Sequence, residues 1–242
     1  MNKVTSSVVG ILCYLVGLGG LSAFMLFMGG WSFLPIHINS RPIADNTITA
    51  VTLNFVILML FALHHSIAAR SGFKDKLTEY ISPALERSIY VLVSGLFMFA
   101  FCLLWQPLSG VVWSTHNEVA TILLRALHVF GWLFLVAATF EIDHFHLMGL
   151  KQSISMNPNE GNQFKEVFLY KIVRHPIQTG ILLGIWATPY MSLTQFMLSL
   201  GFTIYIFIGL YFEEKSLIQR FGDVYMDYKK RVPAVIPFLK IP

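Results

Sequence analysis

Apolar residues run in blocks of about twenty along this chain, and polar residues collect in the short connectors between them. The blocks are Val8–Met28, Thr47–Ala68, Ser88–Trp105, Thr121–Phe140, Ile177–Thr188 and Ser192–Leu210. A helix needs ~20 mostly apolar residues to cross a hydrocarbon core, so most of these blocks predict membrane spans. The fifth is too short to cross alone unless it starts near Phe168 or tilts, and Pro189 with Tyr190 turns it directly into the sixth. The pattern predicts an all-α, polytopic membrane bundle of about six transmembrane helices whose last two form a hairpin. Beyond it Leu217, Phe221, Tyr225 and Tyr228 recur at helical spacing up to Lys229-Lys230-Arg231 and Pro233, which predicts an amphipathic tail along the membrane surface.

Composition agrees. With 55% hydrophobic and 12% charged residues, the chain lies far from a soluble globular domain, and a separate soluble domain has little room. A single integral membrane domain over 1–242 is expected. After Met1 to Lys3, Gly29-Gly30-Trp31 supplies no small-x-small cleavage pattern, so the first span is expected to be retained. Cys13 and Cys102 both lie inside apolar runs with no metal-ligand spacing, and no metal is expected. The net charge of +4 is spread between spans instead of forming one patch, which argues against nucleic acid and for membrane lipids and orientation.

Lys and Arg sort by connector. Lys3, the group Arg70, Lys74, Lys76 and Arg87, the group Lys151, Lys165, Lys171 and Arg174, and the tail from Lys215 all fall on one side. Only Arg41 and Arg125 fall on the other, where Trp105 and Trp113 supply interfacial anchors. Positively charged loops stay in the cytoplasm, so both termini and the amphipathic tail are predicted to be cytoplasmic. Arg174-His175 and Glu213-Glu214 then share one face.

Those charged groups frame the mouth of the hairpin. Pro176 suits the first turn of a helix, and the backbone N–H groups near it, with Arg174 and His175, suit a carboxylate. Gly180, one turn on, opens that helix face either to a ligand or to a neighbouring helix. Glu213 and Glu214 differ by about 100° around a helix, so only one can point into a cavity. The polar stretch from Lys151 to Gln163 reads as a connector or a lid.

Arg174-His175-Pro176-Ile177-Gln178-Thr179-Gly180, Glu213-Glu214, Phe221-Gly222, Tyr225, Tyr228 and Val232-Pro233 occur in that order. The series resembles the membrane methyltransferases that include isoprenylcysteine carboxyl methyltransferase and the phospholipid N-methyltransferases. Gln178 departs from the family's tyrosine at that position. Upstream, His64-His65-Ser66-Ile67-Ala68-Ala69-Arg70, Pro83 to Tyr90, Trp105-Gln106-Pro107, Val112-Trp113 and the His144 to Leu150 segment resemble the bacterial methanethiol S-methyltransferases, as does Trp186-Ala187-Thr188-Pro189.

The resemblance implies S-adenosyl-L-methionine as methyl donor, a small thiol as acceptor giving dimethyl sulfide, and a bacterial inner membrane location. It places the cofactor-binding portion at about 165–235, with Tyr170, Arg174, His175, Pro176, Gln178, Gly180, Glu213 and Glu214 as candidate contacts. A thiol must lose its proton to attack, so a base near neutral pKa is needed. His65 and His144 are candidates, with Asp143 orienting His144 or acting instead. Two alternatives stay open at this point. One is a methyltransferase acting on an isoprenylcysteine or phospholipid. The other is a haem- or metal-binding protein using His64, His65, His128, His144, His146 and His175, although His144 and His146 diverge by about 200° on any helix. Alanine at Arg174, His175 or Glu214 is expected to weaken cofactor binding in a protein that still folds.

Overall fold

The computed structural model describes residues 2–157 and 164–239. In chain order its elements are α1 (Lys3–Met28), α2 (Thr47–Ile67), α3 (Ser71–Thr78), α4 (Glu86–Leu104), β1 (Val111–Ser114), α5 (Glu118–Ile142), α6 (His144–Leu147), α7 (Leu150–Ser155), α8 (Pro176–Trp186), β2 (Tyr190–Ser192), α9 (Leu193–Phe221) and α10 (Asp223–Arg231). Helix dominates, as expected, and five helices are long and apolar enough to cross a membrane: α1, α2, α4 with the turn that precedes it, α5 and α9. The chain is an integral membrane protein.

Boundaries shift where caps and breakers decide them. α1 begins five residues before its apolar block because the Asn2 side chain accepts a hydrogen bond from the Thr5 N–H at 2.8 Å. α9 continues past Leu210 to Phe221, so Glu213 and Glu214 lie within a helix instead of beyond it. α8 starts at Pro176 as its fixed φ predicts, but its 11 residues reach only about 16 Å, short of a hydrocarbon core. The polar connector begins later than its composition suggests, since Leu150–Ser155 is helical. The remainder of that expected lid, residues 158–163, lies outside the described residues.

The chain divides into two compact units, Met1–Gly110 with Asp143–Asn162, and Val111–Ile142 with Gln163–Pro242. In the first, α1 packs on α4 with almost no space between backbones. A Cβ on Gly95 would stand 2.6 Å from the Gly17 Cα, so only glycine permits the approach. Arg87 Nε donates to the Leu147 carbonyl at 2.7 Å and Ser88 Oγ to that of Gly149 at 2.8 Å, which docks the α6–α7 turn on the start of α4.

The second unit pairs α5 with α8. His128 Nδ1 lies 2.7 Å from the Gly184 carbonyl, and Trp132 Nε1 donates to His128 Nε2 at 3.2 Å. An indole N–H only donates and a carbonyl only accepts, so the His128 proton sits on Nδ1. Both ring nitrogens are thereby engaged. β1 and β2, which the apolar pattern does not predict, form an antiparallel pair, and Trp113 Nε1 donates to the Thr188 carbonyl at 3.0 Å beside them. This pairing, not Pro189 and Tyr190 alone, makes the return from α8 into α9.

Candidate functional site

Every candidate cofactor contact falls in the second unit. Arg174 and His175 immediately precede α8 and Glu214 lies on α9, and all three are buried. Arg174 Nε donates to Glu214 Oε1 at 2.7 Å, with Nη2 2.6 Å from the same oxygen. His175 Nε2 stands 3.1 Å from it as well, and Lys229 Nζ is 2.8 Å from Oε2. A single carboxylate thus gathers two cations and an imidazole. Because Glu214 accepts all these bonds, His175 Nε2 is the donor of the pair.

The same groups hold the tail. Arg174 Nη1 donates to the Lys229 and Val232 carbonyls, and the Arg174 and His175 N–H groups donate to the Pro233 and Ala234 carbonyls at 2.8 and 3.0 Å. Thr179 Oγ1 adds a 2.7 Å bond to the Val235 carbonyl. Two of the backbone donors expected for a ligand are therefore spent within the protein. No side chain caps α8.

Glu213 and Glu214 separate as helix geometry requires. Glu214 turns inward, while the Glu213 side chain is 49% exposed, its Oε2 4.0 Å from His175 Nδ1. Tyr170 lies in a single turn before Arg174, its carbonyl accepting from the Tyr228 hydroxyl. Burial, reinforced by Glu213, pushes the Tyr170 phenol above its ordinary range. Gln178 is partly buried on the first turn of α8. For Gly180 the structure selects the packing alternative, because a Cβ there would stand 2.6 Å from the Gly131 carbonyl of α5. That helix face leaves no room for a ligand. On its outer side the cluster borders a cleft of about 370 Å³ lined by Tyr211, Glu214, Lys215, Ile218, Gln219 and Lys229.

The candidate bases fall in the first unit. His65 Nε2 lies 2.8 Å from the Tyr90 hydroxyl, and the Arg87 guanidinium covers the Tyr90 ring at 4.7 Å. His144 Nε2 lies 3.1 Å from the Tyr14 hydroxyl. Burial holds the His144 imidazole below its ordinary range, with Asp143 opposing. Asp143 accepts from Lys151 Nζ at 2.8 Å and from the His146 N–H at 3.1 Å, so its carboxyl sits below the usual carboxylate range. Among the described residues, no three His, Cys, Asp or Glu side chains converge as metal ligands would.

Sequence reasoning missed Lys229, Tyr14 and Tyr90. Lys229 belongs to a basic run that reads as a helix stop, and nothing in the run distinguishes it from Lys230, which pairs with Asp227 in the open. The tyrosines sit in apolar blocks, where aromatic residues usually mean packing.

A family model described as NnrU protein matches residues 54–235. The chain belongs to the NnrU family. It is 42% identical to methanethiol S-methyltransferase 2 of Bradyrhizobium diazoefficiens over 193 residues, 78% of this chain and 74% of that one. Methanethiol S-methyltransferase of Mycobacterium tuberculosis is 34% identical over 244 residues, covering 98% of both chains. Nurim of Xenopus laevis is more distant, 26% identical over 84% of this chain and 79% of its own. The kinship with methanethiol S-methyltransferases expected from the motifs is thus borne out. No solved structure matches.

Proposed function

We propose that this NnrU-family protein methylates methanethiol, with S-adenosyl-L-methionine as donor and dimethyl sulfide as product. The observation that carries this reading is the end-to-end likeness to a methanethiol S-methyltransferase, which spans 98% of both chains. The donor set of the second unit fits the methyl donor's amino-acid end. Arg174 and Lys229 outnumber the one carboxylate they share, which favours a ligand carboxylate, and half-exposed Glu213 favours an ammonium. When bound, the donor supplies a sulfonium methyl group to the thiol sulfur. Tyr170, Arg174, His175, Pro176, Gln178, Glu213 and Glu214 bind and orient it, whereas Gly180 acts by seating α8 on α5.

The chain's other task is to take the thiol proton. Among the candidates, burial disfavours the charged form of His144 and so favours an acceptor lone pair, with the Tyr14 hydroxyl 3.1 Å from Nε2 and Asp143 beside it. His65, whose Nε2 likewise meets a tyrosine hydroxyl, that of Tyr90, is the second candidate. Opposite charges vanish as thiolate attacks sulfonium, so a site that excludes water speeds the step relative to solution. The distribution of Lys and Arg supports cytoplasmic termini, and the bacterial relatives support an inner membrane location with lipid contacts along the spans. The whole chain acts as one methyltransferase.

Purified protein in detergent, given S-adenosylmethionine and methanethiol, should release dimethyl sulfide measurable in the headspace. Turnover of a prenylcysteine analogue alone would replace this acceptor, and no methyl transfer to any thiol would defeat the reading.

A further inference from the structure

From Leu193 through Phe212 α9 carries no charged residue. That stretch is about 30 Å long, the thickness of a hydrocarbon core, so Tyr211 stands where the apolar layer ends. Lys215 lies about 6 Å further along the axis, within the headgroup layer, and Gln219 about 12 Å, near its water-facing edge. Ile204, Ile208, Tyr211 and Lys215 follow at spacings of four, three and four residues, which keeps them on one face of the helix, and all four are exposed. One stripe therefore runs from lipid-facing aliphatic side chains through a tyrosine to an ammonium group.

At that level the cleft of about 370 Å³ opens, lined by Tyr211, Lys215, Ile218 and Gln219 beside Glu214 on α9 and by Lys229 on α10. The Tyr211 hydroxyl, Lys215 Nζ and the Gln219 amide have no hydrogen-bond or ionic partner among the described residues. Other cations are paired, Lys230 with Asp227, Arg231 with Glu166 and Lys151 with Asp143. Lys229 spends one N–H on Glu214, at 2.8 Å, and has others to give. Because buried Arg174 already matches the Glu214 charge, Lys215 and Lys229 leave the cleft with an excess of positive charge. A cationic hollow with hydroxyl and amide donors suits a phosphate. Its continuity with the apolar stripe says which phosphate: a free anion has no use for Ile204 and Ile208, whereas the acyl chains of a phospholipid lie along them.

We propose that the cleft between α9 and α10 binds the phosphate of an anionic phospholipid, held between Lys215 and Lys229 with Gln219 and Tyr211 donating beside them. A zwitterionic headgroup finds no site there for its ammonium, since the carboxylate in the cleft is taken. Such binding needs neither the methyl donor nor the thiol, and it fastens α10 to the membrane surface.

Native mass spectrometry of the purified full chain in detergent tests it with dioleoylphosphatidylglycerol and dioleoylphosphatidylcholine, which share their acyl chains. Wild type should retain the phosphatidylglycerol more tightly. Lys215→Gln should bind it about fivefold more weakly, the contribution of one basic residue at a membrane surface, and bind the phosphatidylcholine as before. Lys215→Arg should restore the preference. Lys230→Gln removes the same charge one position from Lys229 but outside the cleft, and should leave both lipids unaffected. The absence of a preference in wild type overturns the proposal, and so does an unchanged affinity in Lys215→Gln. An equal loss in Lys230→Gln overturns it too, because general surface charge then accounts for the effect. Inorganic phosphate that displaces the phosphatidylglycerol at equal concentration makes the ligand a free anion, and displacement by S-adenosylhomocysteine assigns the cleft to the methyl donor; either result also defeats the lipid site.

Discussion

In the first unit half-buried His65 and buried His144 meet neutral partners, the Tyr90 and Tyr14 hydroxyls, whereas in the second His175 meets a carboxylate already held by Arg174 and Lys229. A neutral histidine against a phenol keeps a lone pair that can take a proton, although the imidazolium so formed has no paired charge in that hydrogen bond. The second cluster has no such freedom, since removing one member leaves the others buried and charged. One arrangement suits proton transfer and the other suits fixed recognition, and the fixed one also holds Lys229, Val232 and the Pro233–Val235 carbonyls against the start of α8.

The largest break in this comparison should come from Glu214→Ala. It uncovers the Arg174 charge in a buried setting and should cost about 3–5 kcal/mol in detergent unfolding, with the tail cut early by protease. That outcome departs from the sequence-based expectation of a folded alanine variant, because Arg174 and Glu214 are structural ties as well as candidate ligand contacts. An unfolding midpoint equal to wild type would mean that the ion cluster contributes nothing to the fold. Gly180→Val should come next, at about 1–3 kcal/mol, since the added carbons meet the α5 backbone. A neutral result in the same unfolding measurement would show that α5 and α8 can part without penalty.

His144 sharpens the other half of the comparison. Burial lowers its folded pKa, so as pH falls below about 6.5 the unfolded chain takes up the proton first and stability is lost toward the folded value. His144→Gln should flatten that acid-side decline of the thermal midpoint, and an unaltered slope would show that His144 does not titrate with folding. The smallest effect belongs to Arg231, paired with Glu166 at 2.8 Å on the surface, where it holds that carboxyl below its usual range. Arg231→Gln should leave the unfolding midpoint nearly unchanged at high salt. A large loss there would make the surface pair as important as the buried one.

Much of the fold was legible because apolar length is a one-dimensional property. α2 matches its block to within a residue, and the fifth block is a short helix as its length required. The site was legible in part. Order and spacing brought Arg174, His175 and Glu214 to notice, and the angle between neighbouring helical residues anticipated that only one of Glu213 and Glu214 points inward. Lys229 stayed hidden, since its role depends on where α10 lies after the chain turns at Gly222. The β1–β2 pair was missed because four and three residues are too few to show a period.

The sequence by itself determined a helical membrane protein, its family and the chemical types gathered near Pro176, because hydropathy and motif spacing are carried by residues close together in the chain. Tertiary structure alone decided that Arg174 pairs with Glu214, that Gly180 faces α5 and that the Tyr225 hydroxyl is buried with no hydrogen-bond partner among the described residues. Those facts depend on contacts between residues dozens of positions apart, and burial in three dimensions is what makes a charge or a hydroxyl there costly or useful.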